Sequence, residues 1–192
     1  MITKYNEYIK ESIDPYFLQT LDETIKWLEI PFSQNIKVNH NDLKVNADYI
    51  TMSKMKLSKI SVQFDIVQDF FDCEKNNLTS LKGCPEIVNG DMDCSDNNLT
   101  SLKYCPKIIT GAFTCNNNPL EDINDLNPKI LDRCMRRTNT WIYEIKQEVW
   151  DKYFEYCINK DSNVINILKD KVSEDIKQKY SHLFNANNFN LF

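Results

Sequence analysis

Glycine and histidine are scarce in this chain of 192 residues, which contains three glycines and two histidines. Gly83, Gly90 and Gly111 stand apart from one another, so the sequence has no glycine-rich loop of the kind that cradles phosphate groups. His40 and His182 are far apart in sequence and do not form a catalytic or metal-binding motif. No two cysteines have the short C-x-x-C spacing of zinc sites. These absences predict a protein that is not an enzyme and needs no cofactor or metal.

The chain also lacks long apolar runs. None approaches the roughly 20 residues that a membrane-spanning helix needs, so we expect no membrane partner. The first residues include Lys4 and Lys10, but no apolar run followed by a cleavage site, as a secretory signal would require. We therefore expect a cytoplasmic protein. The hydrophobic fraction is 42%, and the length suffices for one or two domains with a real core.

A tandem repeat is the main feature that is present, and it spans Phe64 to Leu126. Cysteines, asparagines and leucines recur at a spacing of 21 residues: Cys73, Cys94 and Cys115; Asn76, Asn97 and Asn118; Leu78, Leu99 and Leu120. Cys84 and Cys105 keep the same interval, and each is followed by proline. A period of this length predicts a solenoid built from stacked copies of one structural unit.

The second copy resembles the leucine-rich-repeat core L-x-L-x-x-N-x-L-x-x-L, whose positions are filled by Met92, Cys94, Asn97, Leu99 and Leu102. Pro85-x-x-Val88 before it resembles the short repeats of bacterial effector proteins. The pattern Cys-x-x-Asn-Asn-Leu-Thr-Ser-Leu is similar to repeats of uncharacterised phage and bacterial proteins. The opening residues 1–9 also resemble the start of uncharacterised phage proteins. This resemblance implies a protein-binding solenoid, located in the host cytoplasm if a phage encodes it.

The side-chain pattern of each copy predicts a half-buried strand followed by a turn. Met92 and Cys94 alternate with Asp91, Asp93 and Ser95, so the apolar pair should face inward and the polar three outward. The asparagine of each copy should lie at the turn, where its amide can bond open backbone groups. Stacked copies should then form a parallel sheet with a ladder of asparagines beside it.

We predict an α/β solenoid, in which a short leucine-rich-repeat parallel sheet has helical caps at both ends. Its four parts are an N-terminal helical cap at 1–31, a divergent strand or repeat region at 32–63, the leucine-rich repeats at 64–127, and a C-terminal helical cap or subdomain at 128–192. In the divergent part, the 21-residue frame predicts a degenerate copy containing Ile50, Met52, Leu57 and Ile60. Before this copy we expect a strand or hairpin that contains Ile36, Val38, Leu43 and Val45.

Helix signals flank the repeats on both sides. Asp14-Pro15 predicts the start of a first helix that continues to Leu28, where Pro31 would follow its end. After Asn127-Pro128, apolar residues at helical spacing predict helices near 130–135, 142–156 and 161–171. Ser173 predicts the N-cap of a last helix. Residues 1–13 are compatible with a short helix or with a partly ordered tail.

The acidic residues of the chain are concentrated in its repeats. Residues 64–127 contain 4 basic and 11 acidic side chains, a balance opposite to that of nucleic-acid-binding proteins. A protein partner with a basic face would be complementary. The outward-facing positions predicted to bind it are Tyr49, Phe70, Asp72, Glu74, Asp91, Asp93, Thr114 and Asn116. The alternatives are a solvated face that discourages aggregation, or an accessory structural component of a virion or other assembly.

The seven cysteines are best interpreted as small buried apolar residues. Two columns are predicted, one of Cys73, Cys94 and Cys115, the other of Cys84 and Cys105. Disulfides between adjacent copies are sterically conceivable, but an odd number of cysteines in a cytoplasmic protein argues against them. Oligomeric state and the identity of the partner are not encoded in any recognisable motif.

Overall fold

The computed structural model describes residues 16–29, 32–136, 144–158, 160 and 163–181. Within these residues the chain forms a β-solenoid of about three turns, with stacked parallel strands and five helices. The strands are β1 Phe32–Gln34, β2 Lys37–Val38, β3 Val45–Ala47, β4 Tyr49–Thr51, β5 Phe64–Val67, β6 Phe71–Asp72, β7 Ile87–Val88, β8 Met92–Asp93, β9 Ile108–Ile109 and β10 Phe113–Thr114. The helices are α1 Leu21–Leu28, α2 Pro128–Arg136, α3 Gln147–Cys157, α4 Asn163–Leu168 and α5 Glu174–Lys179.

Two five-stranded sheets run along the solenoid. Sheet A has the order β1-β4-β6-β8-β10, and sheet B has the order β2-β3-β5-β7-β9. In sheet A, Ile50 pairs with Phe71, Phe71 with Met92, and Met92 with Phe113, so the 21-residue frame of the sequence is the register of the strands. All four of these side chains are buried. The degenerate copy predicted at Ile50 therefore stacks on the regular ones.

Sheet B was not predicted from the sequence. Its strands follow the same 21-residue step, because Ile66, Ile87 and Ile108 pair in register and Val67, Val88 and Ile109 do so beside them. Val67, Val88 and Ile109 are buried, whereas the three isoleucines at 66, 87 and 108 are half-buried or exposed. Each regular coil thus contributes one short strand to each sheet, with apolar side chains between the sheets.

Asparagine side chains bond successive coils to one another. Asn97 donates through Nδ2 to the carbonyls of Cys94 and Ser95 in its own coil, both at 3.1 Å, and to that of Cys73 in the preceding coil at 3.0 Å. Its Oδ1 accepts from the backbone N–H of Leu78 at 3.0 Å. Asn76 and Asn118 repeat this arrangement. The predicted asparagine ladder is confirmed.

Two antiparallel strands lie along the N-terminal edges of the sheets. β1 pairs with β4, and β2 pairs with β3 through Lys37 opposite Asn46 and Val38 opposite Val45. The strand expected between Ile36 and Val45 is therefore present. Antiparallel partners satisfy edge groups that would otherwise be open to another chain.

Helix α1 begins later than the sequence indicated. Thr20 is its N-cap and accepts through Oγ1 from the Glu23 backbone N–H at 3.2 Å, while the Glu23 carboxylate accepts from the Gln19 N–H at 3.3 Å. The Thr20 side chain and the Glu23 carboxylate thus fix the start of α1. The segment before it is not helical from residue 16, although it contains apolar residues at helical spacing. Asp14-Pro15 and residues 1–13 lie outside the described residues. Leu28 packs into the core at the other end of α1.

Residues from the C-terminal part contact the last coil. Arg133 donates to the Ile109 carbonyl of β9, and Cys134 Sγ lies 3.6 Å from the Phe113 carbonyl of β10. Glu144 accepts from the Asn117 backbone N–H at 2.7 Å. Helices α2 and α5 occur where the sequence predicted them, with Ser173 capping α5. Helix α3 begins at Gln147, later than expected, and α4 spans Asn163–Leu168, so it ends before residue 171; residues 161 and 162 of the predicted helix lie outside the described residues.

One hydrophobic core extends from α1 through the solenoid to α5. Its largest fully buried side chains include Phe64, Phe71, Phe113, Tyr153 and Phe154. The Tyr153 hydroxyl donates to the Leu126 carbonyl at 2.7 Å, which joins α3 to the end of the repeats. Packing between the helices and the coils is therefore continuous.

All seven cysteines are buried and none is in a disulfide, as the sequence predicted. Burial in apolar surroundings raises the pKa of the Cys84, Cys94 and Cys105 thiols well above its usual value. A raised pKa keeps a thiol protonated and unreactive at neutral pH. The cysteines fill space in the hydrophobic core as small apolar side chains.

Candidate functional site

The outer surface of sheet A carries three columns of side chains, one residue from each coil. The first column is Tyr49, Phe70, Asp91 and Ala112; the second is Thr51, Asp72, Asp93 and Thr114; the third is Ser53, Glu74 and Asn116, with the buried Ser95 at the equivalent position between the last two. We call this surface the strand face. It contains all eight residues that the sequence predicted for partner binding, and each of them is at least partly exposed. Whether they bind a partner stays a prediction.

Two aromatic rings stack at one end of the strand face. The centroids of the Tyr49 and Phe70 rings are 5.0 Å apart, and the ring planes differ by 13°. Stacking is possible because the two residues occupy equivalent positions on neighbouring coils. The next member of the column is the exposed Asp91, whose Oδ1 accepts from the Ala112 backbone N–H at 2.6 Å. An aromatic surface therefore adjoins an acidic one.

Asp72 and Asp93 are direct neighbours across β6 and β8, as the sequence predicted. Each is held by the same local bond: Asp72 Oδ1 accepts from the Glu74 N–H at 2.9 Å, and Asp93 Oδ1 accepts from the Ser95 N–H at 2.8 Å. Partial burial raises the pKa of the Asp72 carboxyl; the Glu74 backbone bond opposes this, and the charges of Glu74 and Asp93 add to it. Two carboxylates are thus fixed side by side at some electrostatic cost.

Glu74 differs from the two aspartates because a cation lies beside it. Lys75 Nζ is 2.8 Å from its carboxylate, and Ser53 Oγ is 3.2 Å from it. The Lys75 bond lowers the pKa of Glu74. Lys75 also lies 3.8 Å from Asp96, so its contacts are with carboxylates at the edge of the strand face. Such exposed pairs contribute little to stability.

The remaining predicted residues contact other parts of the chain. Thr114 Oγ1 donates to the Met92 carbonyl at 3.4 Å, and Asn116 Nδ2 donates to Glu144 at 3.2 Å. Ser95 was expected to face outward, and this expectation was wrong, because Ser95 is only 7% exposed. Its N–H is bonded to Asp93, and its carbonyl accepts from Asn97 at 3.1 Å and from the Lys75 N–H at 2.9 Å. The chain is already turning at Ser95, so strand alternation no longer applies.

The outer surface of sheet B is chemically different. Ile66, Ile87 and Ile108 form an apolar column, and Ile108 is 48% exposed. Beside it runs a charged column in which Lys107 Nζ lies 2.8 Å from Glu86, and Lys44 Nζ lies 3.7 Å from Asp65. The 21-residue spacing of the three isoleucines was the signal that could have identified this surface from sequence.

Neither a metal site nor a membrane helix was found in the described ranges. No three His, Cys, Asp or Glu side chains among those residues are placed to hold a metal ion. None of the helices described there is long and apolar enough to cross a membrane. The chain matched no family model, no curated protein and no solved structure when it was compared with all three.

Proposed function

We propose that this chain is a non-enzymatic binding module, a leucine-rich-repeat solenoid with helical caps that binds a basic protein partner through the strand face. The observation that carries the proposal is the stacked pair Tyr49 and Phe70 beside the adjacent carboxylates of Asp72 and Asp93. The resemblance of the repeats to phage proteins favours a role as an inhibitor or adaptor of a host or defence protein.

The acidic pair supports a basic partner on electrostatic grounds. Like charges directly opposite one another on adjacent strands are destabilising, and Asp72 is already partly removed from water. A lysine or arginine from a partner would offset the repulsion between the two carboxylates. Complementary charge also accelerates encounter between proteins and discriminates against wrong partners. The repulsion between Asp72 and Asp93 in the free chain is therefore relieved in the complex.

The aromatic pair supports a protein as the partner. Tyrosine and phenylalanine are enriched at the centres of protein interfaces, where they supply large contact areas at low entropic cost. Tyr49 and Phe70 are each half-buried, and their stacking holds both rings in place before a partner arrives. We expect them to anchor the complex, with the carboxylates determining its orientation.

Capture from a host lysate tests this function. The tagged full chain should retain a host protein at fixed stoichiometry, and raising the salt concentration should weaken the complex because screening reduces charge attraction. Retention of no protein, or recovery of the chain as a stoichiometric part of purified virions, would contradict the proposal. The second result would favour the alternative role as an accessory structural component.

A further inference from the structure

Two ten-residue segments of neighbouring coils are identical except at one position. Residues 76–85 and 97–106 both read Asn-Asn-Leu-Thr-Ser-Leu-Lys-x-Cys-Pro, where x is Gly83 in the first and Tyr104 in the second. Both residues adopt a left-handed backbone, with φ of 102° at Gly83 and 68° at Tyr104. Glycine accepts this conformation freely, whereas a residue with a side chain is disfavoured there. The second coil therefore carries a tyrosine where glycine would be less strained.

Tyr104 stands where two adjoining cavities meet. One cavity of about 360 Å³ lies between the segment preceding α1 and the solenoid, and the other, of about 310 Å³, continues along the next coils. Lys44, Gln63 and Tyr104 line both. We call the combined depression the Tyr104 groove. Tyr104 is 46% exposed, and Lys103 Nζ lies 5.2 Å from the centroid of its ring.

The walls of the groove combine apolar surface with amino groups. Leu18, Leu43 and Val62 line the first cavity, and the lysines that line one cavity or both are Lys44, Lys82 and Lys107. Lys82 Nζ lies 4.5 Å from the centroid of the Tyr16 ring and 5.6 Å from that of Phe17. Small-molecule sites typically have such volumes, largely apolar walls and a few polar groups that orient the ligand.

The carboxylates of the groove are bonded within the chain. Glu86 accepts from Lys107 at 2.8 Å, and Asp42 Oδ1 accepts from the Lys44 backbone N–H at 3.1 Å. Lys44 Nζ is 3.9 Å from Glu86, and it is 3.7 Å from Asp65 nearby. Asp65 beside Lys44 brings the carboxylates to three, and Lys103, whose Nζ lies 5.2 Å from the centroid of the Tyr104 ring, brings the lysines to four, so the groove has a small positive balance within an acidic repeat region. An anion would be complementary to it.

We propose that the Tyr104 groove binds a small aromatic anion, whose ring packs against Tyr104 and whose carboxylate, sulfonate or phosphate meets Lys44 and Lys82. Strained residues persist where the surrounding structure enforces them and are concentrated at ligand-binding sites. A large aromatic side chain at a glycine position, placed at the opening of a lysine-rimmed cavity, fits that pattern. The site is separate from the strand face and does not depend on its function.

Three probes of one shape and different charge test the proposal on the full chain. They are 1-naphthoate, neutral 1-naphthalenemethanol and cationic 1-naphthylmethylammonium, titrated while protein and probe signals are followed by NMR. The groove should bind the carboxylate saturably, and the cation at least about tenfold more weakly, which corresponds to about 1.4 kcal/mol. Absence of saturable naphthoate binding, or cation binding as tight as that of the anion, would overturn the proposal.

Two variants locate the binding, and a third controls for them. Tyr104→Gly should weaken naphthoate binding about tenfold or more, while the melting temperature stays the same or rises because the left-handed strain is relieved. Lys82→Gln should reduce the preference for anion over neutral probe. The control is Tyr156→Ala on α3, which removes another exposed tyrosine with a lysine, Lys160, 3.7 Å from its ring. Unchanged affinity in folded Tyr104→Gly, or equal losses in the control, would place binding elsewhere and refute the site.

Discussion

Asparagine side chains of the repeats make hydrogen bonds to backbone groups of neighbouring coils. The Asn97 amide bonds three carbonyls and one N–H from two coils, and it is only 6% exposed. Asn76 and Asn118 do the same in their own coils. Many strands have only two residues, so few backbone hydrogen bonds join neighbouring strands. The asparagine bonds therefore help to hold successive coils in register. The asparagine of each coil therefore has a structural role, because its side chain bonds the backbone within the solenoid.

Replacing Asn97 by alanine should reduce the free energy of unfolding by about 1–3 kcal/mol, because buried backbone groups lose their partners. Asn98→Ala is the matched control, since Asn98 is the adjacent asparagine and is exposed; its replacement should change stability by less than about 0.5 kcal/mol. Denaturant melts monitored by circular dichroism provide both values. Equal stability of the two variants would show that the ladder does not hold the coils together.

At the scale of elements, the last coil needs a substitute for the coil that would follow it. The N–H groups of Lys54, Lys75 and Asp96 each donate to a carbonyl of the next coil, at 3.1, 2.9 and 2.9 Å. The equivalent N–H of Asn117 donates to the carboxylate of Glu144 instead, at 2.7 Å. A side chain from the C-terminal part thus completes the pattern at the open edge.

Glu144→Ala should therefore destabilise the end of the solenoid by about 0.5–1.5 kcal/mol, the usual net value of one hydrogen bond. Amide hydrogen exchange should show the effect at Asn117, where protection is lost. Glu148→Ala, four residues further on at another exposed glutamate, should leave that protection unchanged. Equal exchange at Asn117 in both variants would mean that the Glu144 bond is not formed in solution.

The sequence predicted sheet A but missed the strands of sheet B within the regular repeats, and side-chain patterning explains the difference. Asp91 to Cys94 alternates polar and apolar residues and so reveals an inward and an outward side, whereas β7 and β9 each place two apolar residues side by side and show no alternation. Asp14-Pro15 predicted too early a start for α1, because the Thr20 side chain caps the helix further along the chain. The neighbouring positions of Asp72 and Asp93 followed directly from the 21-residue register. The Tyr104 groove could not be predicted, since it depends on how residues 16–24 pack against distant coils.

At the scale of the whole molecule, one core joins the helices and the solenoid, and all seven cysteines lie in it. In the native state, Cys73, Cys94 and Cys115 should react slowly with a thiol reagent, because they are buried and shielded from it. In denaturant, all seven should react. Intact-mass measurement before and after reduction gives the number of free thiols. A mass deficit that reductant removes, or rapid labelling of the native protein, would contradict the packing described for these residues.

The strand face gives the molecule one acidic surface with an aromatic end, and charge reversal there tests its function most directly. Asp72→Lys combined with Asp93→Lys should leave the fold intact, since both side chains reach solvent. Stability should change little, because the unfavourable ionisation of Asp72 in the folded state is removed, whereas the bonds to the Glu74 and Ser95 N–H groups are lost and the two lysines still repel each other. Glu121→Lys with Asp125→Lys makes the same charge change at exposed residues outside the strand face.

The decisive measurement is the association rate constant of the captured partner with the parent chain and with these two variants. If the strand face binds a basic partner, the Asp72/Asp93 variant should associate at least about tenfold more slowly or fail to bind, because charge sets the encounter rate. The Glu121/Asp125 variant should remain close to the parent. An unchanged rate in a folded Asp72/Asp93 variant, or the same loss in both variants, would contradict binding through the strand face.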